Sequence, residues 1–184
     1  HGCIGSVLSG WFRLDWLAQW IDLAADLDSE AIFDIITRDD ADQVRAALDP
    51  KCRLGNRLKI TAQSPENMPS AVREHDLSVM FFTDGLSKVG SCPTRMAEML
   101  GCGLPIVANA GVGDVAHIIK KYRIGVLVEG PEPQQMSRAL SQLERLLIDS
   151  ELGARCRTAA EEVFSLKAGT EAYRRLYREV LSTT

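Results

Sequence analysis

The sequence has no apolar run of membrane-spanning length, no Cys-x-x-Cys pair, no Gly-x-Gly-x-x-Gly run and no excess of positive charge. Each absence removes a class of protein. Without a long apolar run there is no transmembrane helix to expect. The opening GCIGSVLSGWF lacks the basic flank and the cleavage site of a secretory leader. Cys3, Cys52, Cys92, Cys102 and Cys156 are scattered, as are the histidines at 1, 75 and 117. That scatter fits neither a disulfide frame nor a zinc site, so reduced thiols and a cytoplasmic setting are expected. A net charge of −4 and a pI near 5.4 argue against a nucleic-acid surface, while leaving room for a local basic pocket. The first glycine-bearing turn, GSVLSG, has Val7 and Leu8 between its glycines, so a nicotinamide-dinucleotide fingerprint is poorly supported.

What is present is a regular alternation. Strand-like apolar runs lie at 3–8, 32–37, 58–62, 77–82, 106–109 and 125–128. Most are continuous, as expected for strands buried on both faces of a parallel sheet. Helical patterns separate them: one carries Leu14, Leu17, Ile21 and Ala25 on one face, and others are DDADQVRAAL, SPENMPSAVREH, TRMAEMLG and GDVAHIIKKY. After the sixth strand only helices follow, with Met136, Leu140, Leu143 and Leu147 on one stripe and Tyr173, Leu176, Tyr177 and Val180 on another. Trp11, Trp16 and Trp20 stand at roughly helical spacing and read as core or interface rather than as a base-stacking platform. The fold class is therefore α/β: a doubly wound, six-stranded parallel Rossmann-like sheet with extra C-terminal helices. With 184 residues, the chain makes one domain, 1–184. It starts almost inside a strand, which suggests a piece of a longer protein.

In such sheets ligands sit beyond the carboxyl ends of the strands, at the switch point. The stretch SCPTRMAEMLGCGLPIVANAGVGD, residues 91–114, falls there. A helix start leaves backbone N–H groups unpaired and favours an anion. Ser91 reads as a cap or near-cap, Pro93 suits an early helical position, and the amides of Thr94 and Arg95 are then free for a ligand. Lys88, just upstream, adds positive charge. The same pattern also describes an ordinary capped helix with solvent at its end. Glu98 lies one turn after Thr94, beside the anion position, where a carboxylate can accept hydrogen bonds from vicinal ribose hydroxyls. A solvated glutamate is the alternative. Gly111 and Gly113 let the backbone approach a ligand closely, with a purely structural role as the alternative, and Asp114 can cap the next helix. Arg38 can reach the same cleft or pair with Asp39 or Asp40.

With these residues assembled, the chain resembles the C-terminal, nucleotide-sugar-binding domain of GT-B glycosyltransferases, in particular the retaining family 4 (group 1) enzymes. The 91–114 stretch is similar to that family's donor motif, a loop entering a glutamate-bearing helix and then an A-x-G-x-P-V-V-A segment. AAEEVFSLKAGTEAYRRLYREVL is similar to its closing pattern, and GSVLSGWF to its first strand-loop. The resemblance implies a nucleoside-diphosphate sugar as substrate, no cofactor and no metal. It implies a missing N-terminal acceptor-binding domain, with membrane association of the parent left open, and a fragment that alone turns over nothing. Residue by residue, it implies ribose binding by Glu98 and diphosphate binding by the amides of Thr94 and Arg95, with Ser91 and Lys88 nearby. Gly5 and Ser6 fall at the first phosphate loop. The 64–68 loop, with Ser64 and Met68, falls where the family holds the base. Two departures stand out. Gly90 replaces a glutamate that contacts the donor sugar, and Ser6 and Trp11 stand where the family often places Arg and Lys. Lys88 and Arg38 are the residues available to supply that charge.

Three other readings stay open at this stage. A nucleotide-sugar epimerase or a phosphorylase shares the architecture, but the first calls for more acid and His residues near the donor motif and the second for a cofactor lysine and a longer chain. A non-catalytic scaffold that binds a partner is consistent with the two departures. A plain NAD-binding module is disfavoured by the first loop.

Overall fold

The computed structural model describes residues 1–182. Its centre is a six-stranded parallel sheet in the order β3-β2-β1-β4-β5-β6. The strands are β1 (Gly2–Ile4), β2 (Phe33–Ile36), β3 (Leu58–Thr61), β4 (Ser78–Met80), β5 (Ile106–Asn109) and β6 (Gly125–Val128). The chain winds outward one way from β1 to β3, then returns to pair β4 with β1 and winds the other way. The switch point therefore lies between β1 and β4.

Nine helices cover the sheet among the described residues: α1 (Leu14–Leu27), α2 (Ala41–Leu48), α3 (Met68–Arg73), α4 (Leu86–Val89), α5 (Thr94–Gly101), α6 (Val115–Tyr122), α7 (Pro133–Leu147), α8 (Leu152–Val163) and α9 (Leu166–Ser182). Seven of them, α1 to α3 and α5 to α8, are placed by apolar faces, whereas α4 buries only Lys88. On one side of the sheet, Trp16, Trp20 and Ile21 of α1 and Met136 and Leu140 of α7 pack on Phe33, Ile35 and Phe81. On the other side, Met96, Met99 and Leu100 of α5 join Ile118 of α6 and Cys156 of α8 over Met80, Ile106 and Ala108. Burying one such large side chain contributes about 1.5–3 kcal/mol. Burial also pushes the Cys3 thiol up to about 12 and the Cys156 thiol up to about 11, so both are inert packing groups. No helix among the described residues is long and apolar enough to cross a membrane.

Two strands, β1 and β4, are only half as long as the apolar runs predict, while β2 and β3 differ from theirs only at the ends. β1 stops at Ile4 because Gly5 turns into the left-handed region, φ 122°. β4 stops at Met80 because Phe81 and Phe82 leave the ladder for other partners. The Asn109 side chain accepts from the Phe82 amide at 2.8 Å and donates to the Phe82 carbonyl at 3.0 Å. The tryptophans divide as well: Trp16 and Trp20 are core, while Trp11 precedes α1 and is 51% exposed. α4, a single turn, has no counterpart in the sequence-based expectation.

Candidate functional site

Three loops meet over the switch point. The first leaves β1 at Gly5, where a Cβ would run into the Arg95 guanidinium. It then crosses the end of β4. Phe12 pairs antiparallel with Phe82, the Arg13 amide donates to the Phe81 carbonyl at 2.9 Å, and the Thr83 amide donates to Trp11 O at 3.0 Å. This seam sets Trp11 against the second loop, which follows β4 and carries α4.

Lys88 lies on the inner side of α4 and is 7% exposed. Its Nζ sits 2.9 Å from the centroid of the Trp11 ring. Among the described residues no carboxylate pairs with it and no acceptor binds its ammonium. α5 begins next, with Pro93 at the N-cap position and no side-chain cap. The amides of Thr94 and Arg95 thus occupy the first two helical positions, which have no intrahelical acceptor. Trp11, Lys88, Ser91, Cys92, Thr94 and Arg95 line a hollow of about 270 Å³. Ser91 is not the cap. Its hydroxyl donates to the Ser87 carbonyl at 2.9 Å, closing the turn after α4 instead.

Arg95 sends its side chain inward. The guanidinium donates to the Ile4 carbonyl and lies 4.6 Å over the Phe12 ring. Burial pulls it below its ordinary value, against the raising influence of Cys3 and Glu98. It pins α5 to the first loop and forms a wall between the small hollow and a larger neighbour.

That neighbour measures about 590 Å³ and is lined by Gly5, Ser6, Arg38, Met68, Glu98 and Gln63, among others. Five of the residues singled out in the sequence therefore share one cavity. Glu98 is exposed on its wall. Ser64 lies outside it, where its carbonyl accepts from the Asn67 and Met68 amides at 3.1 Å and starts α3. Arg38 forms no ion pair among the described residues, and both neighbouring acids are engaged elsewhere. Asp40 caps α2 through the Gln43 amide at 2.9 Å. Asp39 accepts from the Ser6 hydroxyl at 2.6 Å and from the Leu8 amide at 2.9 Å. Donors of the first loop are thus already occupied by a carboxylate.

The third loop follows β5. Gly113, at φ 41°, serves a close backbone approach to another loop: a Cβ there would meet the Ser91 carbonyl, and its amide donates to the Lys88 carbonyl at 2.9 Å. Asp114 is the N-cap residue of α6 but makes no side-chain cap bond. Sequence reasoning missed Gln63 and Trp11 as cleft residues. Gln63 had a signal, its place just beyond β3, whereas Trp11 was read for its helical spacing and as standing where the family often places a basic residue. No cluster of three or more His, Cys, Asp or Glu groups suited to a metal ion occurs among the described residues.

The family described as glycosyl transferases group 1 matches residues 1–145, and the chain belongs to it. No curated protein sequence matches the chain. Among solved structures, sucrose-phosphate synthase from Thermosynechococcus elongatus is similar over 100% of this chain and 46% of its own, with 18% identity and a TM-score of 0.71. A glycosyltransferase from Rickettsia africae matches over 100% and 48%, with 12% identity and a TM-score of 0.76. The pneumococcal O-GlcNAc transferase GtfA, solved with UDP and GlcNAc, matches over 98% and 35%, with 18% identity and a TM-score of 0.67. The chain thus has the fold of one half of a GT-B glycosyltransferase, and it spans about half the length, or less, of the structures it matches.

Proposed function

We propose that this chain is the donor-binding half of a glycosyltransferase that takes a nucleoside-diphosphate sugar and transfers the sugar with retention. The observation that carries the reading is a pairing at one switch point. A cavity with a carboxylate on its wall adjoins a helix start served by a buried, unpaired lysine. In this reading Glu98 holds the ribose and Arg38, Gln63 and Met68 border the base. The amides of Thr94 and Arg95, with Lys88, hold the diphosphate. As the sugar–oxygen bond breaks, negative charge grows on the diphosphate leaving group. Preorganised amides and an ammonium aimed there stabilise that charge, each donor by about 3 kcal/mol. No metal or cofactor is required for this step. The open cleft supports donor binding over the scaffold reading, which calls for side chains filling it.

The acceptor would be positioned by a second domain closing over this one. α9 supports that arrangement: none of its residues is buried, and Tyr173, Leu176, Tyr177 and Leu181 show an apolar stripe. The residues described here bind nucleotide weakly and turn over nothing by themselves. A cytoplasmic location for the parent, at a membrane or free, is part of the proposal. The test is calorimetric or NMR titration with UDP and GDP. Binding at about millimolar strength or better is expected. Glu98→Ala should weaken it about tenfold, the worth of hydrogen bonds to a charged group. A chain that binds neither nucleotide, or a Glu98→Ala variant that binds like the parent, would overturn the assignment.

A further inference from the structure

Lys88 presents an energetic problem. Lys88 is 7% exposed as a residue, and a charged side chain so enclosed ordinarily has an ion-pair partner. None is present among the described residues; the compensating group is the face of Trp11, 2.9 Å from Nζ. The two ways of stabilising a buried lysine differ in what they leave for a ligand. A carboxylate would hold the ammonium and cancel its field. An aromatic face holds it through the ring quadrupole and leaves the full charge available. The backbone that carries the ring is fixed, since the Trp11 carbonyl accepts from the Thr83 amide at 3.0 Å across the β4 seam.

We propose that Trp11 is a positioning residue that seats the Lys88 ammonium, uncancelled, at the start of α5 for a phosphoryl group of the donor. This rests on the reading of the cleft as a nucleoside-diphosphate site. The indole acts through the lysine, not on the ligand's base. Its removal should therefore weaken ligands in proportion to their phosphate and leave nucleosides untouched. Trp11 also lies beside the anion hollow, while Trp16 and Trp20 are buried in the core, so it is the tryptophan whose emission should respond to an anion.

The experiment compares Trp11→Leu, Trp11→Phe, Lys88→Met and the Trp11→Leu/Lys88→Met double variant in the full-length protein. UDP and GDP are titrated by calorimetry, with uridine and guanosine as phosphate-free controls. Trp11→Leu is expected to weaken the diphosphates about tenfold, and Trp11→Phe less than about threefold, because phenylalanine keeps a π face. Nucleoside affinity should not move in either. The double variant should lose no more than Lys88→Met alone, because the ring has no task without the ammonium. If Trp11→Leu binds UDP and GDP like the parent, or if the losses of the two single variants add, the positioning role is wrong while the donor site stands. A uniform loss that includes the nucleosides also overturns it, since that marks general damage to the loop. If the unaltered protein binds no nucleoside diphosphate, the donor reading itself fails.

Discussion

The two edges of the sheet each carry a hollow, and the larger one lies among acidic side chains. At the edge where the strands begin, a cavity of about 720 Å³ lies among Asp28, Glu30, Asp34, Glu74, Asp76 and Asp149, with Lys59 and His75 also on its wall. At the edge where the strands end, the cavity of about 590 Å³ has Arg38 and Glu98, and its small neighbour has Lys88 and Arg95. The helices run against the strands, so their N-termini gather at the second edge and their C-termini at the first. Helix dipoles and side chains therefore act together: the first edge repels a phosphate twice over, and the second attracts it twice over. Volume alone points to the first hollow, whereas the sign of the field points to the second.

The largest effect should come from reversing charge at each edge. Lys88→Glu puts a carboxylate beside the α5 amides, and UDP and GDP affinity should fall by about a hundredfold or more, as for close charge pairs at buried sites. Lys59→Glu adds the same charge at the other edge and should change it by less than about twofold, because screening is nearly complete beyond a Debye length of about 8–10 Å. Calorimetric titration of both variants makes the comparison. Equal losses would show that distance and edge do not matter, and the contrast would fall.

A middle-sized effect separates stability from binding. At the acidic edge His75 Nε2 and Asp34 Oδ2 lie 2.9 Å apart, with the His75 side chain 4% exposed. The pair ties the chain ahead of β4 to β2, and Asp34 Oδ1 is buried with no other partner. His75→Ala leaves the carboxylate without its partner and should lower unfolding stability by about 1–3 kcal/mol in urea melts. Nucleotide affinity should stay within about twofold. A loss of affinity with no loss of stability would move the functional edge to the other side of the sheet.

How much of this was legible in the residues depended on range. The parallel sheet, its six strands and the α5 start were readable because apolar runs and glycine stops are local signals. Glu98, Gly5, Ser6, Arg38 and Met68 were placed in one cleft because the strand-end rule gathers loops that are far apart in sequence. What escaped was decided by contacts between loops. Ser91 looks like a cap, yet its hydroxyl finds the Ser87 carbonyl only because α4 forms, and four residues carry too little pattern to announce a helix. Trp11 looks like the first member of a helical tryptophan stripe, but the antiparallel seam with Phe82 holds it out of α1 and over Lys88. Gly113 looks like a ligand loop, and its freedom is spent on the Ser91 carbonyl. Asp39 looks like a partner for Arg38, and it goes to Ser6 and Leu8.

Asp39, an acidic group held against the first loop at the edge where the strands end, sharpens the comparison with the smallest expected effect. Burial tends to raise its carboxyl. Hydrogen bonds from the Ser6 hydroxyl and the Leu8 amide outweigh that and hold it below its ordinary value of 3.8. A carboxyl lowered on folding stabilises the fold above its unfolded value and loses that contribution as pH falls through the folded one. Asp39→Asn removes the charge and keeps one acceptor oxygen. It should flatten this part of the acid limb of a stability–pH curve below about 4. It should also tighten UDP and GDP about twofold to threefold at low salt, with the gain fading in 0.5 M salt as screening shortens to about 4–5 Å. A weaker affinity would mean that the Asp39 carboxylate is needed to shape the first loop for the phosphates. The phosphate edge would then depend on a held loop geometry as well as on the sign of its field.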